Sequence, residues 1–294
     1  MITRSLGDLT VSAIGLGGMP LSRPGRDGTL PDRDRAIATV HTALDLGVTF
    51  VDVADCYGPD DHPDDEGLGH NEVLVAEALR GRSEDVLVAT KGGIRRRGAE
   101  WPVDGRPEWI REAVRGSLRR LGVDSIGLYQ HHRPDPAVPY AETIGAFKEL
   151  YDDGLVERVG LSNADPAQIV EAHTILGGAL VSVQNQFSPD FRSSEPELEL
   201  CAELGLVFLP WSPLGGMGGA ADLGSSHRAF AEVAAELDVS PQQVCIAWML
   251  AKGKHVIPIP GASRPESITD TASAVHLTLG EAELRRLDAS GEGA

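Results

Sequence analysis

Eight short runs of apolar, mostly β-branched residues recur along the chain and predict eight β-strands. The segments between them carry apolar residues at spacings of three and four, which predicts amphipathic helices. The predicted strands are 13–18, 48–53, 85–91, 125–131, 156–162, 179–185, 206–211 and 255–261. The clearest helical segments are 33–46, 107–121, 140–152, 165–176 and 195–204. Because most strand runs are continuous rather than alternating, we expect parallel strands that are covered on both faces.

This alternation in 294 residues has the length and rhythm of a (β/α)8 barrel, the TIM barrel of the α/β class. A doubly wound sheet is the alternative, and it normally binds a phosphate at a glycine-rich turn after its first strand. The first turn here contains Gly15, Gly17 and Gly18, but a polar loop follows to about Asp32, and no helix begins where that fold needs one. The barrel is therefore favoured. With no linker-like segment, we expect a single domain over residues 1–294.

Three segments lie outside the simple alternation. Residues 2–13 have strand-like ends around a Gly-Asp pair, which predicts an N-terminal β-hairpin that caps one end of the barrel. A glycine-rich loop at 212–224 is followed by two predicted helices, 225–237 and 240–252, before the eighth strand. The tail, 280–288, reads as a last amphipathic helix.

Composition narrows the choice of partners. The formal net charge of −18 argues against nucleic acid or an anionic membrane as the main partner. Three scattered cysteines, Cys56, Cys201 and Cys245, form neither a disulfide framework nor a zinc motif. No apolar run approaches the roughly 18 residues of a membrane span, and the start lacks the apolar core of a secretion signal. We therefore expect a cytoplasmic protein.

Polar residues with chemical potential follow several of the predicted strands. In a (β/α)8 barrel the carboxyl ends of the strands meet at one mouth, so these side chains are expected to converge there. They are Asp52, Tyr57, Lys91, His131, His132, Ser162, Asn163, Gln184, Asn185 and Trp211.

An aspartate, a tyrosine, a lysine and a histidine together suggest proton transfer to a carbonyl oxygen. A phenol has a pKa near 10, and a neighbouring ammonium lowers that pKa by favouring the phenolate. Tyr57 is therefore a candidate general acid, with Lys91 adjusting its pKa and Asp52 orienting Lys91. A nearby imidazole can hold the substrate oxygen by a hydrogen bond.

Other polar stretches favour ordinary interpretations. The acidic stretch 58–72 lacks the ligand spacing of a calcium loop and is interpreted as a solvated, mobile loop that overhangs the substrate opening. The run RRRG at 95–98 is interpreted as a solvated charge run, with a position over the pocket as the alternative. We interpret His131 as a packing residue behind the barrel wall and Cys56 as a packing residue without a chemical role. No His-x-His pair follows a strand, so a metal-dependent hydrolase on the same barrel is disfavoured and no metal is expected.

Seven stretches resemble, in order, the successive motifs of the aldo-keto reductase family. They are DVADCYG, VATKGG, LYQHHRPD, GLSN, VQNQFSP, PWSPLGG and IPIPGASRPES, and the resemblance extends from about residue 3 to residue 288. It implies reduction of an aldehyde or ketone to an alcohol by NADPH, with hydride passed directly from nicotinamide to the carbonyl carbon. The chain also resembles the short bacterial pyridoxal-reductase branch in SPLGGM and the helices that follow. A small carbonyl substrate and a monomer are the implied partner and state.

The resemblance also implies roles for individual residues. The catalytic tetrad falls on Asp52, Tyr57, Lys91 and His132, the last because it directly precedes RPD. The implied cofactor-binding residues are Gly18, Ser162, Asn163, Gln184, Trp211, Ser212, Leu214, Gly215, Gly261, Ser263, Arg264 and Asp270. Among them Trp211 stands where a tyrosine is commoner, and Asp270-Thr271 replaces an acid-Asn pair that grips the adenine. An arginine at position 264 favours a 2′-phosphate, and hence NADPH over NADH.

The family resemblance leaves one functional alternative open. Some relatives use the barrel mainly as a cofactor-sensing subunit of a larger assembly, with little turnover. An intact tetrad argues for chemistry, and turnover of a generic aldehyde separates the two.

Overall fold

Strands and helices alternate along the chain in the computed structural model, which describes residues 1–25, 28–59, 68–216 and 218–290. The strands of this part are β1 (Thr3–Leu6), β2 (Leu9–Ser12), β3 (Leu16–Gly17), β4 (Phe50–Asp52), β5 (Leu87–Gly92), β6 (Leu128–His131), β7 (Val159–Ser162), β8 (Leu180–Gln184) and β9 (Val207–Phe208). Its α-helices are α1 (Arg33–Asp45), α2 (His70–Leu79), α3 (Pro107–Leu121), α4 (Tyr140–Asp152), α5 (Pro166–Leu176), α6 (Glu195–Leu204), α7 (Gly219–Ser226), α8 (Arg228–Leu237), α9 (Pro241–Ala251), α10 (Pro265–Ser273) and α11 (Glu281–Ala289).

Strands β3 to β9 form one parallel sheet in sequence order, and a further segment closes it into a barrel. On the β9 side, Phe208 N donates to His255 O at 2.8 Å and Ile257 N donates to Phe208 O at 2.9 Å. On the β3 side, Gly15 N donates to Pro258 O at 2.9 Å. The residues predicted as the eighth strand therefore bridge the first and last strands of the sheet. The (β/α)8 barrel is confirmed, and the doubly wound alternative is wrong.

The closing segment is extended but is not a regular strand, for a reason that the sequence contains. Proline has no backbone N–H, so Pro258 and Pro260 cannot donate to a neighbouring strand. Their carbonyl oxygens accept instead, from Gly15 N at 2.9 Å and from Gly17 N at 3.0 Å. The barrel is thus closed on the β3 side by carbonyl groups of the two prolines.

The N-terminal hairpin closes the bottom of the barrel, as predicted. β1 and β2 pair antiparallel around the turn at Gly7, whose φ of 59° lies in the left-handed region that favours glycine. Leu6 and Val11 of the hairpin are buried among the apolar side chains of the barrel interior, including Phe50 and Ile257. The polar residues that follow the parallel strands lie at the opposite end of the barrel, where those strands terminate.

Two parts of the sequence interpretation need correction. Three helices, α7, α8 and α9, precede the closing segment where two were predicted, because α7 begins inside the expected glycine-rich loop. Of the stretch 58–72, residues 60–67 lie outside the described residues, and His70 begins α2. Asn71 and Glu72 are fully buried, so the solvated-loop interpretation is wrong for them. In the described ranges, no helix combines the length and the apolar character that crossing a membrane requires.

Candidate active site

A buried ammonium group lies at the centre of the barrel mouth. Lys91, near the end of β5, donates from Nζ to Asp52 Oδ2 at 2.6 Å and to the hydroxyl of Tyr57 at 3.3 Å. A third bond, 2.9 Å long, goes to the carbonyl oxygen of Val53. Lys91 is fully buried and therefore needs these partners, since an isolated charge is costly in the interior. The structure thus brings together three of the residues that the sequence placed in one tetrad.

The second carboxylate oxygen of Asp52 is held by two amide groups. Gln130 Nε2 donates to Asp52 Oδ1 at 2.9 Å, and Gln184 Nε2 donates to the same atom at 2.7 Å. Gln130 lies on β6, two residues before His132, and was not predicted from the sequence as a site residue. With both oxygens bonded, the carboxylate of Asp52 keeps a fixed orientation towards Lys91.

The pKa of Tyr57 moves in the opposite direction to that expected from its neighbours. Burial raises the pKa of Tyr57 to about 12, even though the Lys91 ammonium acts to lower it and Asp52 acts to raise it. The sequence argument considered the ammonium but not the loss of water around the phenol. The expectation of a net lowering is therefore wrong, and Tyr57 keeps its proton throughout the neutral range.

The pKa of Lys91 reflects the same competition with the opposite result. Burial lowers the pKa of Lys91, but the attraction of Asp52 and the contact with Tyr57 leave it above its ordinary value. The side chain is therefore an ammonium at neutral pH. A fixed positive charge consequently lies 3.3 Å from the oxygen of Tyr57.

The ring of His132 lies across from Tyr57 and is neutral. The two ring centroids are 5.7 Å apart in an edge-to-face arrangement. Burial lowers the pKa of His132 well below its usual value, and the nearby charge of Lys91 lowers it further. His132 also lines the mouth cavity, so a neutral imidazole faces any molecule bound there.

His131 packs on the outer side of the barrel wall, as the sequence predicted. Its ring contacts Tyr140 and Phe147 of α4, with centroids 5.8 and 5.5 Å away. Burial lowers the pKa of His131 to about 4, so it too is neutral at pH 7.

Buried His131 makes stability depend on pH. Its pKa is lower in the folded than in the unfolded protein, where it is near 6.5, so between these values the unfolded chain binds more protons. Stability is then lost as the pH falls below about 6.5. Between pH 7 and pH 5, we expect the unfolding free energy of His131→Gln to fall by about 2 kcal/mol less than that of the wild type. Urea unfolding at both pH values measures it, and an unchanged pH dependence contradicts it.

The backbone around Tyr57 is held by an arginine that the sequence assigned to a solvated run. Arg96 is almost fully buried and donates from Nη1 to Cys56 O at 2.9 Å and from Nη2 to Pro59 O at 2.7 Å. These carbonyl groups flank Tyr57 on both sides. The solvated interpretation is wrong for Arg96, which fixes the backbone from which the phenol projects.

The part of the mouth beside Tyr57 is aromatic. The rings of Tyr57 and Trp101 lie 6.0 Å apart between centroids. The guanidinium groups of Arg23 and Arg96 lie 4.9 and 5.1 Å from the ring centroid of Trp101. Trp101 also lines the cavity and gives it a flat wall next to the ring of Tyr57.

A cavity of about 870 Å³ runs across the mouth from the tetrad to the start of α10. Ten of the twelve predicted cofactor-binding residues line it, namely Ser162, Asn163, Gln184, Trp211, Ser212, Leu214, Gly261, Ser263, Arg264 and Asp270. Gly18 and Gly215 are not among the described residues of its wall. Gly18 N instead donates to Asp52 O at 2.7 Å. Arg35, in the first turn of α1, lines the cavity and was missed from the sequence.

The end of the cavity at α10 contains the exposed cation of Arg264 and the carboxylate of Asp270, which is already hydrogen-bonded. Arg264 is exposed, and its Nε donates to Ser267 Oγ at 3.0 Å. The two oxygens of Asp270 accept from Ser240 Oγ at 2.8 Å and from Gln243 Nε2 at 2.7 Å. Asp270 therefore ties α10 to the start of α9, which limits its part in gripping an adenine.

The residues present fit a nicotinamide adenine dinucleotide. The cavity is within the range of about 300–1,000 Å³ that small-molecule and cofactor sites occupy. Its tetrad end offers Asn163 and Gln184 amides and the flat ring of Trp211, which suit a carboxamide and an aromatic ring. Its other end offers exposed guanidinium groups at Arg264 and Arg35, which suit phosphate.

One group of side chains has the composition of a metal site. Asp55, Cys56 and His132 each place a ligand atom within 4.8 Å of the others. Burial raises the pKa of the Asp55 carboxyl and of the Cys56 thiol well above their usual values, so the loss of a proton that metal binding requires is disfavoured at both. This group of buried side chains therefore does not favour metal binding.

Comparisons with known proteins cover almost the whole chain. The chain is 33% identical over 295 residues to the Escherichia coli protein named pyridoxine 4-dehydrogenase, covering 97% of each chain. A thermostable aldo-keto reductase, Tm1743, solved with the inhibitor epalrestat, superposes with a TM-score of 0.81 at 28% identity, covering 99% of this chain and 100% of that one. A Klebsiella pneumoniae aldo/keto reductase, solved with NADP and acetate, gives 0.80 at 25% identity, covering 98% and 94%.

A family model confirms the assignment over nearly the whole chain. The model described as the aldo/keto reductase family matches residues 13–292. That span contains all the residues of the mouth described above. The chain belongs to the aldo/keto reductase family.

Proposed function

We propose that the protein reduces a small aldehyde or ketone to an alcohol with NADPH, and that Tyr57 is the proton donor. The observation that carries this proposal is the Tyr57 hydroxyl, 3.3 Å from the Lys91 ammonium, in the wall of the cavity. When bound, NADPH supplies the hydride that reduces the carbonyl carbon. Everything else in the reaction is done by groups of this chain.

Tyr57 delivers its proton to the oxygen of the reduced carbonyl. An alkoxide is about as basic as hydroxide, whose conjugate acid, water, has a pKa of about 15.7. A phenol whose pKa is about 12 is therefore acidic enough to protonate it. The phenolate formed by the transfer is stabilised by Lys91, which already touches that oxygen. The ammonium thus acts on the product of the proton transfer rather than by ionising Tyr57 beforehand.

His132 and the polar residues of β7 and β8 position the two reactants. A neutral imidazole can donate one hydrogen bond to the carbonyl oxygen and hold it near Tyr57. Ser162, Asn163 and Gln184 would hold the carboxamide of a bound nicotinamide, and Trp211 would offer a flat surface to its ring. The amide nitrogen of Gln184 already donates to Asp52, so its Oε1 is the atom that can accept from the carboxamide.

The test of this function is an assay of NADPH oxidation over aldehydes, ketones, sugars and pyridoxal. Pyridoxal belongs in the panel because of the name of the Escherichia coli relative and the aromatic wall at Trp101. We expect turnover of at least one aromatic aldehyde. Tight NADPH binding without turnover of any member would instead favour the cofactor-sensing alternative, which has no separate support in the structure.

The preference for NADPH is proposed to depend on Arg264. Removing a guanidinium that faces the 2′-phosphate loses a charge-assisted hydrogen bond. We therefore expect Arg264→Gln to raise the Kd of NADPH roughly tenfold and to leave the Kd of NADH within about twofold. Fluorescence titration measures both constants. Arg115→Gln, at an exposed site on α3, is the matched control. Equal losses for both cofactors would contradict the assignment.

A further inference from the structure

Cys56 contacts the catalytic histidine from the side away from the cavity. Its sulfur lies 3.5 Å from Nδ1 of His132, and the residue is fully buried. A neutral thiol is a weak hydrogen-bond donor. The high pKa of this buried thiol keeps its proton in place. A thiol that is able to donate is thus held against one ring nitrogen.

This contact decides which ring nitrogen remains for a substrate. Nδ1 is occupied by the buried sulfur, whereas the ring itself lines the cavity. Nε2 is therefore the nitrogen available to a bound carbonyl. In a neutral imidazole one nitrogen carries the hydrogen and the other accepts, and the partner of one nitrogen selects the state of the other.

We propose that Cys56 is a positioning residue: its thiol donates to Nδ1 of His132 and keeps the hydrogen of the ring on Nε2, from which it is donated to the substrate oxygen. The proposal rests on the carbonyl reduction proposed above. The opposite arrangement, with Nδ1–H pointing at sulfur, leaves Nε2 as an acceptor that cannot bind a carbonyl oxygen. The neighbouring backbone supports the fixed geometry, because Arg96 Nη1 donates to the carbonyl oxygen of Cys56 at 2.9 Å.

The kinetic test uses three variants. Cys56→Val removes the donor at similar size, and Cys56→Ser restores a hydroxyl donor. Cys201→Val, in α6, is the control for loss of a fully buried thiol outside the mouth cavity. We expect Cys56→Val to lower kcat/KM about five- to tenfold without changing the Kd of NADPH, Cys56→Ser to recover most of the loss, and Cys201→Val to have no effect. Equal losses in the valine and serine variants would overturn the proposal.

The spectroscopic test does not depend on turnover. Long-range ¹H–¹⁵N correlation spectra distinguish the two neutral tautomers, and the signals of His132 are assigned by their loss in His132→Gln. We expect hydrogen on Nε2 in the wild type and a mixture of tautomers in Cys56→Val. Hydrogen on Nδ1 in the wild type, or an unchanged single tautomer in Cys56→Val, overturns the proposal. A wild type without carbonyl turnover would refute the proposed function, while the spectra would still decide the role of Cys56.

Discussion

Replacing Tyr57 by phenylalanine is expected to lower kcat by about 10²- to 10⁴-fold, the range that a positioned general acid contributes. The phenyl ring keeps its packing against Trp101 and His132, at centroid distances of 6.0 and 5.7 Å, so only the hydroxyl is lost. Without it, no phenol is positioned to give a proton to the alkoxide, and the Lys91 ammonium has no phenolate to stabilise. The Kd of NADPH should stay within about twofold, because this hydroxyl faces the substrate end of the cavity.

The measurement is a pair of experiments on the same preparation. Steady-state rates with the best substrate of the panel give kcat, and fluorescence titration gives the Kd of NADPH. Tyr140→Phe is the control, because it also removes a buried tyrosine hydroxyl, on α4 and beside His131. We expect this control to keep the wild-type kcat. A Tyr57→Phe variant that turns over substrate at nearly the wild-type rate would contradict the assignment of Tyr57 as the proton donor.

Replacing Lys91 by methionine is expected to damage both stability and activity. The substitution leaves the carboxylate of Asp52 buried without its ion-pair partner, which typically costs about 3–5 kcal/mol of unfolding free energy. It also removes the charge that stabilises the phenolate of Tyr57 as it forms. We expect kcat to fall by about 10²-fold or more. Urea unfolding and steady-state kinetics measure the two effects.

A second substitution separates the two roles of Lys91. Combining Lys91→Met with Asp52→Asn removes the unpaired charge and leaves the amides of Gln130 and Gln184 a neutral side chain to bond. We expect the double variant to recover most of the lost stability while kcat stays low. If kcat returned together with stability, Lys91 would matter only for folding.

The positions of the tetrad could be predicted from the sequence because the fold is periodic. A chain that alternates strand and helix eight times must bring the residues that follow its strands to one mouth. That rule brings Asp52, Lys91 and His132 to the mouth, whatever their distance along the chain, but the choice of His132 over His131 depended on the family resemblance around RPD. The hairpin at Gly7 and the exact ends of α3, α4 and α6 follow from equally local signals.

The errors concern burial, which local patterns do not determine. Arg96 lies in a run of three arginines, and nothing in that run shows that one guanidinium turns inward to bond carbonyl groups on either side of Tyr57. The expected lowering of the pKa of Tyr57 was wrong for the same reason, since the loss of water raises this pKa by more than the charge of Lys91 lowers it. Gln130 was missed because its value lies in reaching Asp52, 78 positions away in the sequence.

The coupling between Lys91 and Tyr57 is the central claim, and a double-mutant cycle on kcat measures it most directly. If the ammonium acts through the phenol oxygen 3.3 Å away, it has nothing to stabilise once that oxygen is gone. The variant carrying both Tyr57→Phe and Lys91→Met should then be no more than about threefold slower than the slower single variant. A kcat reduced by the full product of the two single losses would show that the residues act independently and would contradict the account.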